Sequence, residues 1–193
     1  MATLKNIEQQ TNNKFLNMYN LEYHNEKTGK DFNYFIASRR DKDNLAAVTR
    51  DHSKADAAMM LCMYDNGDVV LIKQFRPAIN DYVYESPAGL IDDGEDPADT
   101  VKREIFEETG LEVLECHQLI KPSYTSEGMS DESLSVWLCL VDGTPDTSHK
   151  EENEDIEVVI LKQNDIKKFL KENNVSIKTS ILLMLTLITN KLS

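Results

Sequence analysis

The sequence predicts an α+β domain with a mixed β-sheet, and three observations predict it. Extended, alternating patterns dominate the first 90 residues, one sharply bounded helix follows, and further strand patterns then give way to two closing helices. A length of 193 residues suits one ordinary domain with a small appendage. No internal repeat is visible.

Taken in order, residues 1–13 are polar and read as frayed or helical. Tyr19–Tyr23 and Phe32–Ile36 alternate apolar with polar residues on either side of the turn-rich stretch 25–31, the pattern of a hairpin or short meander. A charged stretch, 39–43, leads to a third expected strand near Ala46–Val48. Strands are expected at 57–64 and 69–74, joined by Asp65-Asn66-Gly67-Asp68, because Asn-Gly tolerates the positive φ of a tight turn. A short extended piece at 82–86 precedes the helix. That helix is capped by Asp96, opened by Pro97, favoured by Asp99 near its positive end and stopped by Gly110. Strands at 113–120, 134–141 and 157–161 follow, then helices over about 163–172 and 177–191.

Composition narrows the function classes. Hydrophobic residues make up 40% and charged residues 28%, with only 7 Gly and 5 Pro, so a disordered or collagen-like chain is excluded. With 34 acidic against 21 basic residues, the formal charge is −13 and the pI about 4.7. Such a chain repels nucleic acid and anionic lipid, and would handle an anionic substrate through metal cations. Cys62, Cys116 and Cys139 are odd in number and widely spaced, which fits a reducing compartment. The N-terminus has no apolar stretch behind its charge. The apolar run 181–188 falls far short of the roughly 20 residues a bilayer requires. A soluble, cytoplasmic protein is expected.

The chemistry lies between Gly89 and Leu111. At about 100° per residue, Glu104, Glu107 and Glu108 share one helical face, next to an apolar stripe of Ala98, Val101 and Ile105. Three crowded carboxylates repel one another unless a cation sits among them. Oxygen donors without His or Cys favour Mg²⁺ or Mn²⁺ over zinc, and Arg103 is placed to orient one carboxylate. Taken alone, three glutamates also fit a solvated acidic face. Their spacing says more: residues 89–111 match G-x5-E-x7-R-E-U-x-E-E-x-G-U, with U aliphatic, at every specified position.

By this match the segment resembles the Nudix hydrolase signature. The resemblance implies a Nudix fold, a mixed sheet sandwiched by helices, and hydrolysis of a nucleoside diphosphate linked to a further moiety, assisted by Mg²⁺ or Mn²⁺. It implies that Glu104 and Glu108 ligate metal, that Glu107 binds metal directly or through water, and that Arg103 and Glu95 support the site. Glu85-Ser86-Pro87-Ala88-Gly89-Leu90 resembles the entry to this box in ADP-ribose pyrophosphatases and related nucleotide-sugar enzymes, where the carbonyl matching Ala88 also binds metal. Val70–Arg76 resembles a strand of the same group, whose last arginine, here Arg76, contacts substrate phosphate. The acidic stretch 151–156 resembles a loop that carries the catalytic base; Glu152 is the matching base, Glu154 a further metal ligand, and Glu127 and Glu151 are the alternative bases. One departure stands out. Where the group has Ser-Pro-Gly some fifteen residues beyond the box, this chain has Ser126-Glu127-Gly128, so Glu127 and Gly128 become the substrate-contacting pair and a sugar other than ADP-ribose gains weight.

The remaining residues take ordinary roles. His24, His52, His117 and His149 are scattered, and Trp137 reads as core. Tyr19, Tyr23, Phe32 and Tyr34 could stack on adenine but read first as packing residues of an N-terminal segment, 1–50, expected to serve dimerisation and substrate contact, since relatives use such a segment to form a dimer; residues 51–193 would be the hydrolase domain. The expected activity is cleavage of ADP-ribose or a related nucleoside diphosphate sugar to a nucleoside monophosphate and a sugar phosphate by a homodimer. The alternatives are a hydrolase that cleanses nucleoside triphosphates and a non-catalytic nucleotide sensor. The N-terminal strands and the 151–156 loop count against the first, and the complete box and lack of a basic segment against the second.

Overall fold

A computed structural model describes residues 1–150 and 155–189. The chain is α+β, a mixed sheet with few helices and antiparallel strands at its N-terminus. By its internal contacts it divides into two units, Met1–Asp56 with Lys121–Leu134, and Ala57–Ile120 with Ser135–Ser193.

The first unit is built on a three-stranded antiparallel meander: β1 (Ala2–Gln9), β2 (Asn17–Asn25) and β3 (Lys30–Ser38). Pairing sets Leu4 opposite Tyr23 opposite Phe32, and Ile7 opposite Leu21 opposite Tyr34, so the apolar side chains of three strands share one face. Ile7, Tyr19, Leu21, Ile36 and Leu45 are buried there. Residues 2–9 are thus a strand and neither frayed nor helical. The register shifts between Leu4 and Asn6, and this extra residue puts Leu4 and Ile7 three apart, hiding the two-residue period that marks a strand. Ala46–Thr49 is also not a strand: it is a single helical turn, α1. No side chain at its start caps it, and the buried carboxylate of Asp131 accepts from the Ala46 N–H at 3.0 Å in its place. A cap brought from 85 residues away leaves no local trace.

Arg40 and Asp56 tie this unit together. The guanidinium donates to both Asp56 oxygens at 2.9 Å, and Asp56 Oδ2 also accepts from the Ser133 amide at 2.7 Å and hydroxyl at 2.9 Å.

The second unit follows its expected elements closely. In order these are β4 (Ala57–Met63), β5 (Val69–Arg76), β6 (Asp81–Glu85), β7 (Ala88–Leu90), α2 (Pro97–Thr109), β8 (Glu112–Tyr124), β9 (Ser133–Asp142), β10 (Ile156–Leu161), α3 (Ile166–Glu172) and α4 (Ile177–Thr189). The sheet runs β10-β5-β4-β9-β8, with β6 paired to β5 and β7 to β4. Residues 121–124 of β8 and 133–134 of β9 count with the first unit. The β4–β5 turn needs its glycine: Gly67 has φ +86°, while Asn66 keeps a negative φ and instead accepts from the Asp68 amide through its side chain.

The core explains why α2 lies where it does. Alternate residues of β4, Ala58, Met60 and Cys62, meet Val101 and Ile105 of α2, with Val70, Leu111, Cys139 and Val141 completing the cluster. Trp137 packs against its margin. No described helix is long and apolar enough to cross a membrane.

Candidate active site

The ends of α2 are fixed by its own sequence. The Asp96 carboxylate accepts from the Ala98 amide at 2.8 Å, Pro97 occupies the first turn, and Gly110 closes the helix with φ +71°. Between these caps Val101 and Ile105 anchor one side to the sheet, which aims the remaining side, with its carboxylates, at β7 and the loop after it.

Arg103 is the hub of that side. Its guanidinium grips Glu95 with two bonds, Nε to Oε1 at 3.0 Å and Nη2 to Oε2 at 2.9 Å. The Nη1 atom donates to Glu104 at 2.6 Å and to Glu107 at 3.0 Å, and Nη2 also reaches the Leu90 carbonyl at 3.2 Å. One positive charge therefore faces three carboxylates, leaving two negative charges uncompensated by it. Glu95 further accepts from the Thr100 hydroxyl at 2.6 Å. The Arg103 hydrogen bonds, then that of Thr100, lower the Glu95 pKa to about 2. The Arg103 pKa is raised in turn, chiefly by Glu95 and then, against the cost of burial, by Glu104 and Glu107.

Glu104 and Glu108 sit differently from Glu107. Glu108 is 3% exposed and accepts from the Ala88 amide at 3.1 Å, so it belongs to the buried side of α2 and not to the solvated side shared in projection. The Glu104 carboxylate lies over the backbone of Gly89, where a Cβ would come within 1.8 Å of its carboxyl carbon. The box glycine is thus a cradle: its missing side chain is the space the carboxylate occupies. Ala88, Arg103, Glu104, Glu107 and Glu108 form one constellation where β7 meets α2.

The other expected site residues are placed as follows. Arg76, at the end of β5, donates to Glu85 at 2.6 Å, three residues before Ala88. Glu85 was not expected in any role; its partner lies nine positions away across a hairpin, and no spacing rule marks such a pair. Glu127 and Gly128 lie in a turn of the first unit, closed by Ser126 accepting from the amides of Met129 and Ser130, and the Gly128 carbonyl accepts from the Tyr34 hydroxyl at 2.8 Å. Glu127 is exposed. Glu151, Glu152 and Glu154 lie outside the described residues.

The donor set fits a hard divalent cation. It consists of carboxylate and carbonyl oxygens, with no His or Cys among Ala88, Glu104, Glu107 and Glu108, and a guanidinium already sits among the carboxylates as an internal cation. Among the described residues no three His, Cys, Asp or Glu side chains are grouped as a ready ligand set. Glu104 and Glu107 bond Arg103, and Glu108 bonds the Ala88 amide.

Comparison with known proteins identifies the family. The model of the NUDIX domain matches residues 53–179, well over half the chain. An ADP-ribose pyrophosphatase of Bacillus subtilis is 32% identical over 120 residues, 62% of this chain and 64% of that one. An ADP-sugar pyrophosphatase of Mus musculus is 40% identical over 83 residues, 40% of this chain and 38% of that one. The chain thus spans less than two thirds of the length of these relatives. A solved structure titled as an ADP compounds hydrolase superposes with a TM-score of 0.74 over 98% of this chain and 95% of that one, at 16% identity, a likeness of fold. The matched domain holds the whole box with its arginine hub and glycine cradle, and the chain belongs to the NUDIX family.

Proposed function

We propose that this chain hydrolyses the pyrophosphate bond of ADP-ribose or a related nucleoside diphosphate sugar, with Mg²⁺ or Mn²⁺, to a nucleoside monophosphate and a sugar phosphate. The observation that carries the reading is the placing of Glu104 and Glu108 against the Ala88–Gly89 backbone, with Glu107 joined to Glu104 through Arg103, a set of oxygen donors suited to a pyrophosphate-bound cation. The names of the Bacillus and mouse relatives support the substrate class.

In this reading Glu104, Glu108, Glu154 and the Ala88 carbonyl hold the cation, with Glu107 assisting. The chemistry such a cation supplies is neutralisation of the pyrophosphate oxygens and activation of a water. Arg103 bridges Glu104 and Glu107 through one nitrogen and holds both carboxylates in fixed directions. Arg76 binds a substrate phosphate, exchanging part of its bond to Glu85 for a bidentate grip on phosphoryl oxygens. Glu152 takes the proton of the attacking water, and Glu127 and Gly128 contact the sugar. The segment 1–50 serves dimerisation and substrate contact, a role supported by side chains on β3 that remain exposed: Phe32, Tyr34 and Phe35 at 41, 40 and 55%. The protein then works as a cytoplasmic homodimer.

The test is a product assay with Mg²⁺ on ADP-ribose, ADP-glucose, GDP-mannose, NADH and deoxynucleoside triphosphates, beside a Glu104→Gln/Glu108→Gln variant. The reading expects a nucleoside monophosphate and a sugar phosphate, lost in the variant. Pyrophosphate released from triphosphates would replace it with the triphosphatase reading. Nucleotide binding without any product would replace it with the sensor reading.

A further inference from the structure

A hydroxyl far from the box in sequence is built into the segment that carries Ala88. Thr179, in the first turn of α4, is 0% exposed, and Ser86 is 2% exposed. The Thr179 Oγ1 atom accepts from the Ser86 amide at 2.8 Å and from the Ser176 hydroxyl at 3.0 Å, and donates to Ser86 Oγ at 3.4 Å. A hydroxyl has one proton to give and two lone pairs to share, so this one is fully committed. Ser176 in turn accepts from the Thr179 amide at 3.3 Å, capping α4, and its own amide donates to the Tyr84 carbonyl at 3.1 Å. The start of α4 and the strand leading to the box are thus stitched together on both sides of Glu85.

The stitched segment has two further fixed points. The Pro87 carbonyl accepts from the Met60 amide of β4 at 2.8 Å, and the Ala88 amide donates to Glu108 at 3.1 Å. Three consecutive residues are held by three elements: Ser86 by α4, Pro87 by β4 and Ala88 by α2. The β4 ladder also pairs Ala88 with Met59, so the Ser86 bond is the one that fixes the chain as it enters this peptide from the α4 side.

We propose that Thr179 is a positioning residue of the site, its hydroxyl fixing Ser86 so that the Ala88 peptide and Glu108 keep the register that cation binding needs. The inference rests on the proposed role of Ala88 and Glu108 in holding Mg²⁺ or Mn²⁺. Valine keeps the shape of threonine and removes the hydroxyl, leaving the buried Ser86 amide without an acceptor. Serine keeps the hydroxyl and removes a methyl. Leu182→Ala loosens the same helix but keeps every bond described here.

The experiment measures Mn²⁺ affinity from the free-ion electron paramagnetic resonance signal, with kcat and KM for ADP-ribose alongside. Thr179→Val should weaken Mn²⁺ binding about tenfold, the lower end of what loss of a ligand's own hydrogen-bond partner costs, and lower kcat more than it raises KM. Thr179→Ser should stay within about threefold of wild type, as should Leu182→Ala despite a lower melting temperature. Equal Mn²⁺ affinity in wild type and Thr179→Val overturns the inference, as does an equal loss in Leu182→Ala. Hydrogen exchange on the wild-type protein decides even if Thr179→Val does not fold: the Ser86 amide should rank among the slowest in residues 77–95, and exchange at the rate of an exposed loop amide overturns the inference. A folded wild type that neither binds Mn²⁺ nor cleaves ADP-ribose defeats the reading of the site and this inference with it, whereas Mn²⁺ binding indifferent to the valine defeats the inference alone.

Discussion

Arg103 and Arg40 are both half-buried arginines that hold carboxylates at hydrogen-bond distance, yet the charge around them is counted differently. Arg40 meets one carboxylate, Asp56, with two parallel bonds, and Asp56 Oδ2 also accepts from the Ser133 amide and hydroxyl. That pair sets one positive charge against one negative charge. Arg103 is shared by three carboxylates, Glu95, Glu104 and Glu107, so one guanidinium sets the direction of all three. A one-to-one pair fixes a fold, whereas a guanidinium shared by several carboxylates gathers oxygen donors at one place. The same two residue types thus make a closed pair in one place and a gathered set of carboxylates in the other.

Neutralising one carboxylate in each cluster breaks the comparison most directly. Glu104→Gln should lower kcat for ADP-ribose by about 10³-fold while the protein stays folded. Asp56→Asn should leave kcat within about twofold and cost about 2 kcal/mol, read from urea denaturation, because it strands the Arg40 guanidinium. A large loss of kcat in Asp56→Asn, or a large loss of stability in Glu104→Gln, would erase the distinction.

Gly89→Ala sharpens it. The added Cβ collides with the end of a flexible side chain and not with backbone, so Glu104 can swing away and the fold should survive. Activity should fall about 10- to 100-fold with little change in melting temperature, since a displaced ligand costs rate before it costs stability. An unchanged rate would mean that the position of Glu104 over Gly89 is incidental.

The smallest effect is the response to acid. The folded pKa of Glu95, about 2, lies below its ordinary value of 4.5 because Arg103 and Thr100 bond its charged form. A depressed carboxylate pKa contributes stability that is complete above the unfolded value and is lost as pH falls toward the folded one. Between pH about 4.5 and 2, wild type should therefore lose denaturation midpoint more steeply than Glu95→Gln. Parallel curves would show that the Arg103–Glu95 bonds do not act in stability.

The parts legible in advance share a property: their determinants are close together in the chain. The caps of α2, Asp96 and Gly110, act on backbone groups within a few residues, and the box spacing from Gly89 to Leu111 folds onto one strand and one helix. The strands of the second unit were readable because burial on a pleated face imposes its own period. What escaped was set at long range. The strand at residues 2–9 was masked by a register shift that only its partner β2 defines, and α1 by a cap supplied by Asp131. The burial of Glu108, unlike its neighbour Glu107, depends on which side of α2 the sheet takes.

The sequence by itself determined the family, the box and the kinds of atom a site could offer, because spacing along a helix converts directly into direction. Only the tertiary structure decided that Arg103 binds three glutamates at once, that Glu104 rests on Gly89 and that Thr179 holds Ser86. Each of these joins residues of separate elements through bonds a few ångströms long, and no period or motif along the chain carries a distance across space.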